Sequence, residues 1–221
     1  MTEFQAVARR FVVLISGRGS NMQQIVEQSR QQGWPADFLR VISNEADAAG
    51  IAWAKSQGIP TAVVSHRDFM DRQAFDDQMA HIIDADKPDY VLLAGFMRIL
   101  TPKFVATFKN RLVNIHPSLL PAFPGLRTHE QALAAGVGWH GCTVHFVTDQ
   151  LDHGPIIAQA AVPVKAGDTP QTLASRVLLA EHQIYPRTVR WLAEGRVSVS
   201  EAGVVSVEGV TERHYYLGSQ A

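Results

Sequence analysis

The sequence has 221 residues but a single cysteine, Cys142, so no disulfide can form within it and a reducing compartment is expected. Lysine and arginine total 20 against 21 aspartates and glutamates. This balance argues against generic electrostatic binding to nucleic acid and leaves only a local basic site open. No apolar run approaches the roughly 18 residues of a membrane span, and the start lacks the order of a signal peptide. We therefore expect a cytoplasmic protein without a membrane or nucleic-acid partner.

Motifs for metal binding and for covalent catalysis are also missing. The nine histidines and one cysteine form no His-Glu-x-x-His, no Cys-x-x-Cys and no carboxylate–histidine cluster with metal-ligand spacing. No Gly-x-Ser-x-Gly sequence occurs, and no base can be assigned to Cys142, which lies beside a predicted strand and is expected to pack there. The sequence predicts neither a metal site nor a covalent enzyme intermediate.

Apolar strand patterns alternate with helical ones along the first half of the chain. Residues 11–15 and 90–94 are continuous apolar runs, which are typical of strands buried on both faces of a parallel sheet. Helices of ten to fifteen residues between strands imply right-handed crossovers, so we expect an α/β fold with a mainly parallel Rossmann-like sheet and helices on both faces. Further strands are predicted at 38–43, 61–64 and 112–116, and helices at 20–33, 46–57 and along 75–83.

The second half of the chain predicts an antiparallel addition to this sheet. Strands at 143–147 and 155–162 are joined by the short connection 150–154. A long helix follows Thr169, which precedes a proline at the first helical position, and Pro186 is expected to kink it. Residues 196–208 alternate valine with polar residues, which predicts a hairpin. One domain over 1–221, ending in a hairpin and tail at 197–221, is expected.

A glycine-rich turn at 16–21 joins the first strand to the first helix. Its two glycines allow a tight turn, and the free N–H groups of the helix start suit a phosphate. The turn does not match a dinucleotide fingerprint, because position 22 is methionine, and no Gly-Lys-Ser/Thr follows as in a P-loop. Either a monophosphate site or a plain strand-to-helix turn with a serine cap is consistent with the spacing.

An amide and an imidazole share one side of the strand at 112–116. Asn114 and His116 are two residues apart, so they point the same way while Ile115 enters the core. Such a pair can polarise a carbonyl and move a proton, although a histidine satisfied by loop carbonyls is the simpler alternative. Asp152 precedes a Gly-Pro turn; it is either a turn former or, if that turn faces the strand end, a partner of His116.

Four motifs in this order resemble the phosphoribosylglycinamide formyltransferases, folate-dependent enzymes of purine biosynthesis. They are Ser-Gly-x-Gly-Ser-Asn at 16–21, Ala-Gly-Phe-Met-Arg-Ile-Leu at 94–100, Asn-Ile-His-Pro-Ser-Leu-Leu-Pro at 114–121 and Thr-Asp-x-Leu-Asp-x-Gly-Pro at 148–155. The resemblance covers about 10–196 and implies the formyltransferase fold. It also implies transfer of a formyl group from the co-substrate 10-formyltetrahydrofolate to the amine of N1-(5-phospho-D-ribosyl)glycinamide, by a monomer or homodimer without a metal.

The resemblance implies roles for individual residues as well. The catalytic trio is Asn114, His116 and Asp152. The acceptor substrate is held by Gly19, Ser20 and Asn21 at its phosphate and by Glu181 near its glycinamide. The folate lies along Met97, Arg98, Ile99 and Leu100, close to Arg72, Asn114 and Val147.

Two of these residues have simpler alternatives, and three positions depart from the family. Glu181 is otherwise a solvated helix carboxylate, and Arg72 part of an exposed charged helix face. The departures are Arg18 in the glycine turn, Leu178 where some relatives have a polar residue near the phosphate, and His153 where glycine is common. Rival functions are formyl transfer to another amine, hydrolysis of formyl-folate, and non-catalytic sensing of a nucleotide or folate.

Overall fold

The computed structural model describes residues 7–217. Residues 1–6 and 218–221 lie outside this range. The second group is the end of the tail predicted at 197–221. The strands are β1 (Arg9–Ile15), β2 (Ala36–Ser43), β3 (Thr61–Val63), β4 (Tyr90–Leu93), β5 (Leu112–His116), β6 (Trp139–Phe146), β7 (Ile156–Pro163), β8 (Val197–Val199), β9 (Val205–Val207) and β10 (His214–Tyr216). The α-helices are α1 (Ser20–Gln32), α2 (Ala49–Ser56), α3 (Arg72–Asp86), α4 (Pro102–Thr107), α5 (Thr128–Ala134) and α6 (Pro170–Ala193), with a short 3-10 helix at His66–Asp68.

The main sheet has eight strands in the order β10-β7-β6-β5-β4-β1-β2-β3. Strands β1 to β5 are mutually parallel, whereas β6 is antiparallel to both β5 and β7. The predicted mainly parallel sheet with an antiparallel addition is confirmed. The hairpin predicted near the end is also confirmed, because β8 and β9 pair as a separate antiparallel ribbon.

Hydrophobic residues cover both faces of the sheet. Alternate residues of β1 enter opposite cores, with Phe11 and Val13 on one side and Val12 and Leu14 on the other. The first core is closed by α1, α2 and α6, and the second by α3 and α4. This explains why β1 is apolar at consecutive positions, as strands buried on both faces are. No helix among residues 7–217 combines the length and the apolarity that a membrane span requires.

Local chemistry explains most of the helix ends. Gly33 ends α1 in the left-handed conformation, at φ 63°, and donates its N–H to the Ser29 carbonyl. Thr169 caps α6 in a reciprocal capping box with Thr172, and Pro170 takes the first helical position. The helix continues through Pro186 to Ala193, so this proline does not end it.

The starts predicted for one helix and one strand are wrong, and one strand was missed. Helix α2 begins at Ala49 rather than at 46, because Ser43 and Glu45 bond to each other in a turn after β2. Strand β6 begins at Trp139 rather than at 143, and its Gly141 lets β7 approach so closely that an added Cβ would lie 1.9 Å from the Ala160 oxygen. Strand β10 was not predicted at all; it adds to the sheet parallel to β7.

Candidate active site

The glycine turn opens onto a cavity of about 290 Å³ at the carboxyl end of the sheet. Gly19 precedes α1 in the left-handed conformation, at φ 64°, and no side chain caps the helix. The first turn of α1 also lacks an acidic residue, so its N–H groups and its positive dipole end remain available to an anion. The cavity is lined by Ser16, Gly17, Arg18, Gly19, Ser20, Asn21, Ala94, Gly95, Met97, Leu178 and Glu181.

Helix α6 brings Glu181 to this cavity. The buried Tyr185, one turn further along, shares its hydroxyl proton between the carbonyls of Leu93 and Val113, at 3.1 and 3.0 Å, which fixes α6 over the end of β4 and the start of β5. Asn21 donates its amide to Glu181 at 2.7 Å, and burial raises the pKa of Glu181 to about 7. The alternative of a solvated helix carboxylate is wrong, because the carboxyl group is buried against Asn21.

Strand β5 presents Asn114 and His116 on one face, as the sequence predicted. The alternate residues Val113 and Ile115 enter the core beneath α6. Asn114 lies opposite Leu93 in the β4–β5 pairing, and Ala94, the next residue of that chain segment, lines the cavity. The backbone of Asn114 is therefore one strand spacing, about 5 Å, from the chain segment that continues into the cavity wall.

Asp152 reaches His116 from the connection between β6 and β7. Its carboxylate lies 3.5 Å from His116 Nδ1 and accepts the Gly125 N–H at 2.8 Å. The other ring nitrogen of His116, Nε2, donates to the Phe123 carbonyl at 3.0 Å. Both N–H groups of a protonated ring would thus face an oxygen acceptor. The connection is tight at Gly154, where an added Cβ would lie 1.7 Å from the Phe146 oxygen.

His145 completes this cluster and was missed in the sequence. It pairs with Asn114 across β5 and β6, and its Nε2 lies 3.5 Å from Asn114 Nδ2 and 4.0 Å from Asp152 Oδ1. Burial lowers the pKa of His145, and its Nδ1 donates to the Phe146 carbonyl at 2.9 Å. The neutral ring therefore carries its proton on Nδ1 and accepts from Asn114 at Nε2. The antiparallel pairing that brings the two residues together is the signal that could have revealed it.

The segment predicted to carry the folate follows β4 and is apolar and open. Met97 and Ile99 are 70% and 56% exposed, whereas Leu100 and Val147 are partly buried in the second core. Arg98 is partly buried, and Arg72 is exposed at the start of α3.

Two polar contacts that the sequence did not reveal hold this segment. Ser16 accepts the Met97 N–H at 2.8 Å and donates its own hydroxyl to Asn44 at the end of β2. At the other end, the buried carboxyl group of Asp76 accepts the Thr101 N–H at 2.6 Å, and burial raises its pKa. The backbone from 97 to 101 is thereby tied to β1 and to α3.

The predicted site residues fall into two adjacent groups. The glycine turn, Met97 and Glu181 share the cavity, whereas the predicted trio lies beside it and does not line it. His153 is exposed and its Nδ1 donates to the Leu151 carbonyl, so it leaves the Asp152 turn intact. Within residues 7–217, no group of three or more histidine, cysteine or acidic side chains could hold a metal ion.

Comparison with known proteins identifies the family of the chain. Residues 9–189 match the family model described as formyl transferase. The chain is 50% identical to the phosphoribosylglycinamide formyltransferase of Escherichia coli over 86% of its own length and 90% of that protein. It is 48% identical to the bovine trifunctional purine biosynthetic protein adenosine-3 over 88% of its length, which corresponds to 19% of that longer protein.

Solved structures agree with this assignment. Glycinamide ribonucleotide transformylase 1 from Symbiobacterium toebii superposes with a TM-score of 0.88 at 45% identity, over 94% of this chain and 97% of that one. A formyltetrahydrofolate deformylase from Pseudomonas syringae also superposes, with a TM-score of 0.84 at 28% identity, over 91% of this chain but 66% of that chain. The chain therefore belongs to the formyl transferase family, in the group whose named members are phosphoribosylglycinamide formyltransferases.

Proposed function

We propose that the chain transfers the formyl group of 10-formyltetrahydrofolate to the amine of N1-(5-phospho-D-ribosyl)glycinamide, a step of purine biosynthesis. The observation that carries the proposal is the placement of an amide, an imidazole and a carboxylate next to an uncapped helix start. Asn114 lies on β5, the strand next to β4, whose continuation lines the cavity, and Asp152 lies 3.5 Å from His116 of the same strand. The trio supplies groups for acyl transfer, and the cavity supplies groups for a phosphorylated amine.

The cavity fits the acceptor substrate. The N–H groups at Gly19, Ser20 and Asn21 suit a phosphate. Glu181 offers a carboxyl group that becomes ionised near neutral pH, so it can accept a hydrogen bond from the glycinamide amine. A volume of about 290 Å³ lies at the lower end of the range for small-molecule sites, which suits one ribonucleotide.

The segment after β4 fits a folate. Met97 and Ile99 expose apolar surface, and the flat ring system of a pterin can pack on such side chains. Leu100 and Val147 extend this surface towards the second core. Arg98 and Arg72 carry positive charge nearby and would attract the carboxylates of the folate tail.

The trio would stabilise the transition state of direct transfer. The amine nitrogen bonds to the formyl carbon, the bond from that carbon to N10 breaks, and a proton passes from the amine to N10. Asn114 has one amide N–H fixed by His145, so the second can donate to the developing oxyanion. His116 donates to the same oxygen once its Nε2–H leaves the Phe123 carbonyl, and Asp152 holds the charged ring through Nδ1.

A direct assay separates this function from its rivals. The purified chain is incubated with 10-formyltetrahydrofolate and either phosphoribosylglycinamide or no acceptor. Formylated glycinamide ribonucleotide, with little loss of formyl groups in the acceptor-free sample, is the expected result. Formate release without acceptor would indicate a hydrolase like the deformylase relative, and neither product would indicate a sensor.

Substitutions test the assigned roles. His116→Ala should lower kcat by about 100- to 1000-fold, the effect of removing one oxyanion donor. Asp152→Asn should lower kcat strongly while the Kd for folate stays near the wild-type value. His81→Ala, at an exposed position on α3, is the matched control. Near-normal turnover of the His116 variant would refute the assignment, and so would lost folate binding with normal turnover in the Asp152 variant.

A further inference from the structure

We propose that Arg18 makes this site specific for a phosphorylated acceptor, by pairing its guanidinium with the phosphate held at the start of α1. The inference rests on the proposed function and assigns a role to a residue of the glycine turn that the proposed function leaves without one. Arg18 lines the cavity and is exposed. It is the one cationic side chain among the described residues that form the cavity wall.

The guanidinium of Arg18 is not engaged elsewhere. Among residues 7–217 it takes part in no ion pair and no side-chain hydrogen bond, unlike Arg67, which pairs with Glu45 at 2.8 Å. The backbone of Arg18, by contrast, is held in place. Its carbonyl accepts the Gln23 side-chain amide at 2.9 Å, and the Gly50 N–H bonds to the neighbouring Gly17 carbonyl at 3.1 Å. A fixed backbone with a free cation is suited to binding an anion.

A second feature of the cavity points to a ligand. Asn21 is 6% exposed, lines the cavity and keeps its Oδ1 without a partner within the described part of the chain. A buried amide oxygen without a hydrogen bond is costly unless a ligand satisfies it. The cavity therefore offers an open acceptor beside the open N–H donors of α1, and a polar ligand can satisfy both.

The charges of the cavity explain why a cation is needed. Glu181 is the carboxyl group among the lining residues, and in its ionised form it would repel a phosphate dianion. The other lining residue of α6, Leu178, can donate no hydrogen bond to the phosphate. His182 does not supply the charge either, because burial and the positive charge of Arg18 lower its pKa. Arg18 thus supplies positive charge that neither α6 nor the uncapped helix start provides in full.

The test compares two acceptors and two arginines. Formyl transfer is measured with phosphoribosylglycinamide and with its dephosphorylated nucleoside, in the wild type, Arg18→Gln, Arg18→Lys and Arg30→Gln. Arg30 lies near the far end of α1, where its guanidinium bonds to Gln57, so its variant removes the same charge away from the cavity. Binding of ribose 5-phosphate is measured by calorimetry on the same proteins, which gives a readout independent of catalysis.

Arg18→Gln should lower kcat/KM for the phosphorylated acceptor by about 10- to 100-fold, mainly through KM, as expected for loss of a charge-assisted hydrogen bond. The value for the nucleoside should change less than about twofold. Arg18→Lys should lower kcat/KM for the phosphorylated acceptor less than Arg18→Gln does, since lysine keeps the positive charge but not the bidentate geometry of the guanidinium. Arg30→Gln should match the wild type.

The outcomes separate this inference from the proposed function. The role of Arg18 is refuted if Arg18→Gln lowers kcat/KM equally for both acceptors. It is also refuted if the variant leaves KM and ribose 5-phosphate binding unchanged. In either case formyl transfer itself stands. If the wild type transfers no formyl group but binds ribose 5-phosphate in an Arg18-dependent way, the proposed function fails and the phosphate role holds. If ribose 5-phosphate does not bind to the wild type, the inference fails.

Discussion

Replacing Glu181 by glutamine should change how the stability of the protein depends on pH. Burial raises the pKa of Glu181 from 4.5 to about 7. Between these two pH values the folded chain keeps a proton on Glu181 that the unfolded chain has lost. A rise in pH through this window therefore favours the unfolded state, and the free energy of unfolding falls.

The size of the effect follows from the two pKa values. At about 1.4 kcal/mol for each pH unit, the difference corresponds to about 3 kcal/mol. Solvent screens the part of the side chain that remains accessible, so we expect about 2–3 kcal/mol. Glutamine resembles the protonated acid and can still accept the Asn21 amide. The variant should match the wild type near pH 4, below both pKa values, and exceed its free energy of unfolding by about 2–3 kcal/mol near pH 8.

Urea denaturation of both proteins at several pH values from about 4 to about 8 measures this difference. Other titrating groups, such as His140, whose pKa burial lowers to about 4, are common to both proteins and cancel in the comparison. A difference that stays constant across the pH range would refute the reasoning. It would show that Glu181 ionises at the same pH in the folded and unfolded chains.

Three further substitutions test the supports of the site. Gly154→Ala should lower the free energy of unfolding by about 2–4 kcal/mol and lower kcat, because the added Cβ would collide with the Phe146 oxygen. Thermal melts measure the loss, and Gly138→Ala is the control, because a Cβ at Gly138 has no atom within 4 Å. Tyr185→Phe should lower stability by about 1–3 kcal/mol and raise the acceptor KM, and an unchanged KM would contradict its role in placing α6. Ser16→Ala should raise the folate KM several-fold, whereas equal kinetics would show that its hydroxyl does not hold the folate segment.

Local chemistry determined the parts of the fold that could be predicted. The apolar run 11–15 predicted β1 because a strand buried on both faces has no polar side. The glycine after α1 and the threonine and proline before α6 end and start those helices through contacts within a few residues. The shared face of Asn114 and His116 also follows from local geometry, since side chains alternate along any strand.

The parts that could not be predicted depend on contacts between distant residues. His145 becomes a partner of Asn114 only through the pairing of β5 with β6, and no short-range pattern sets that register. Asp76 supports the backbone at Thr101 from a different helix. Strand β10 has three residues and forms because β7 offers an edge to pair with. In each case the local structure depends on contacts with residues that are distant in the sequence, so the sequence of the segment itself does not predict it.

The hydrophobic core sets the direction in which the predicted catalytic residues point. In β5, Val113 and Ile115 are buried under α6, and Asn114 and His116, which alternate with them, face the other way. A shift of one residue would expose both apolar side chains and place Asn114 and His116 in the core. Each apolar side chain contributes about 1.5–3 kcal/mol by burial, so the shifted register is excluded by several kcal/mol. The direction in which Asn114 and His116 point is thus a consequence of the packing of apolar side chains on the opposite face of the same strand.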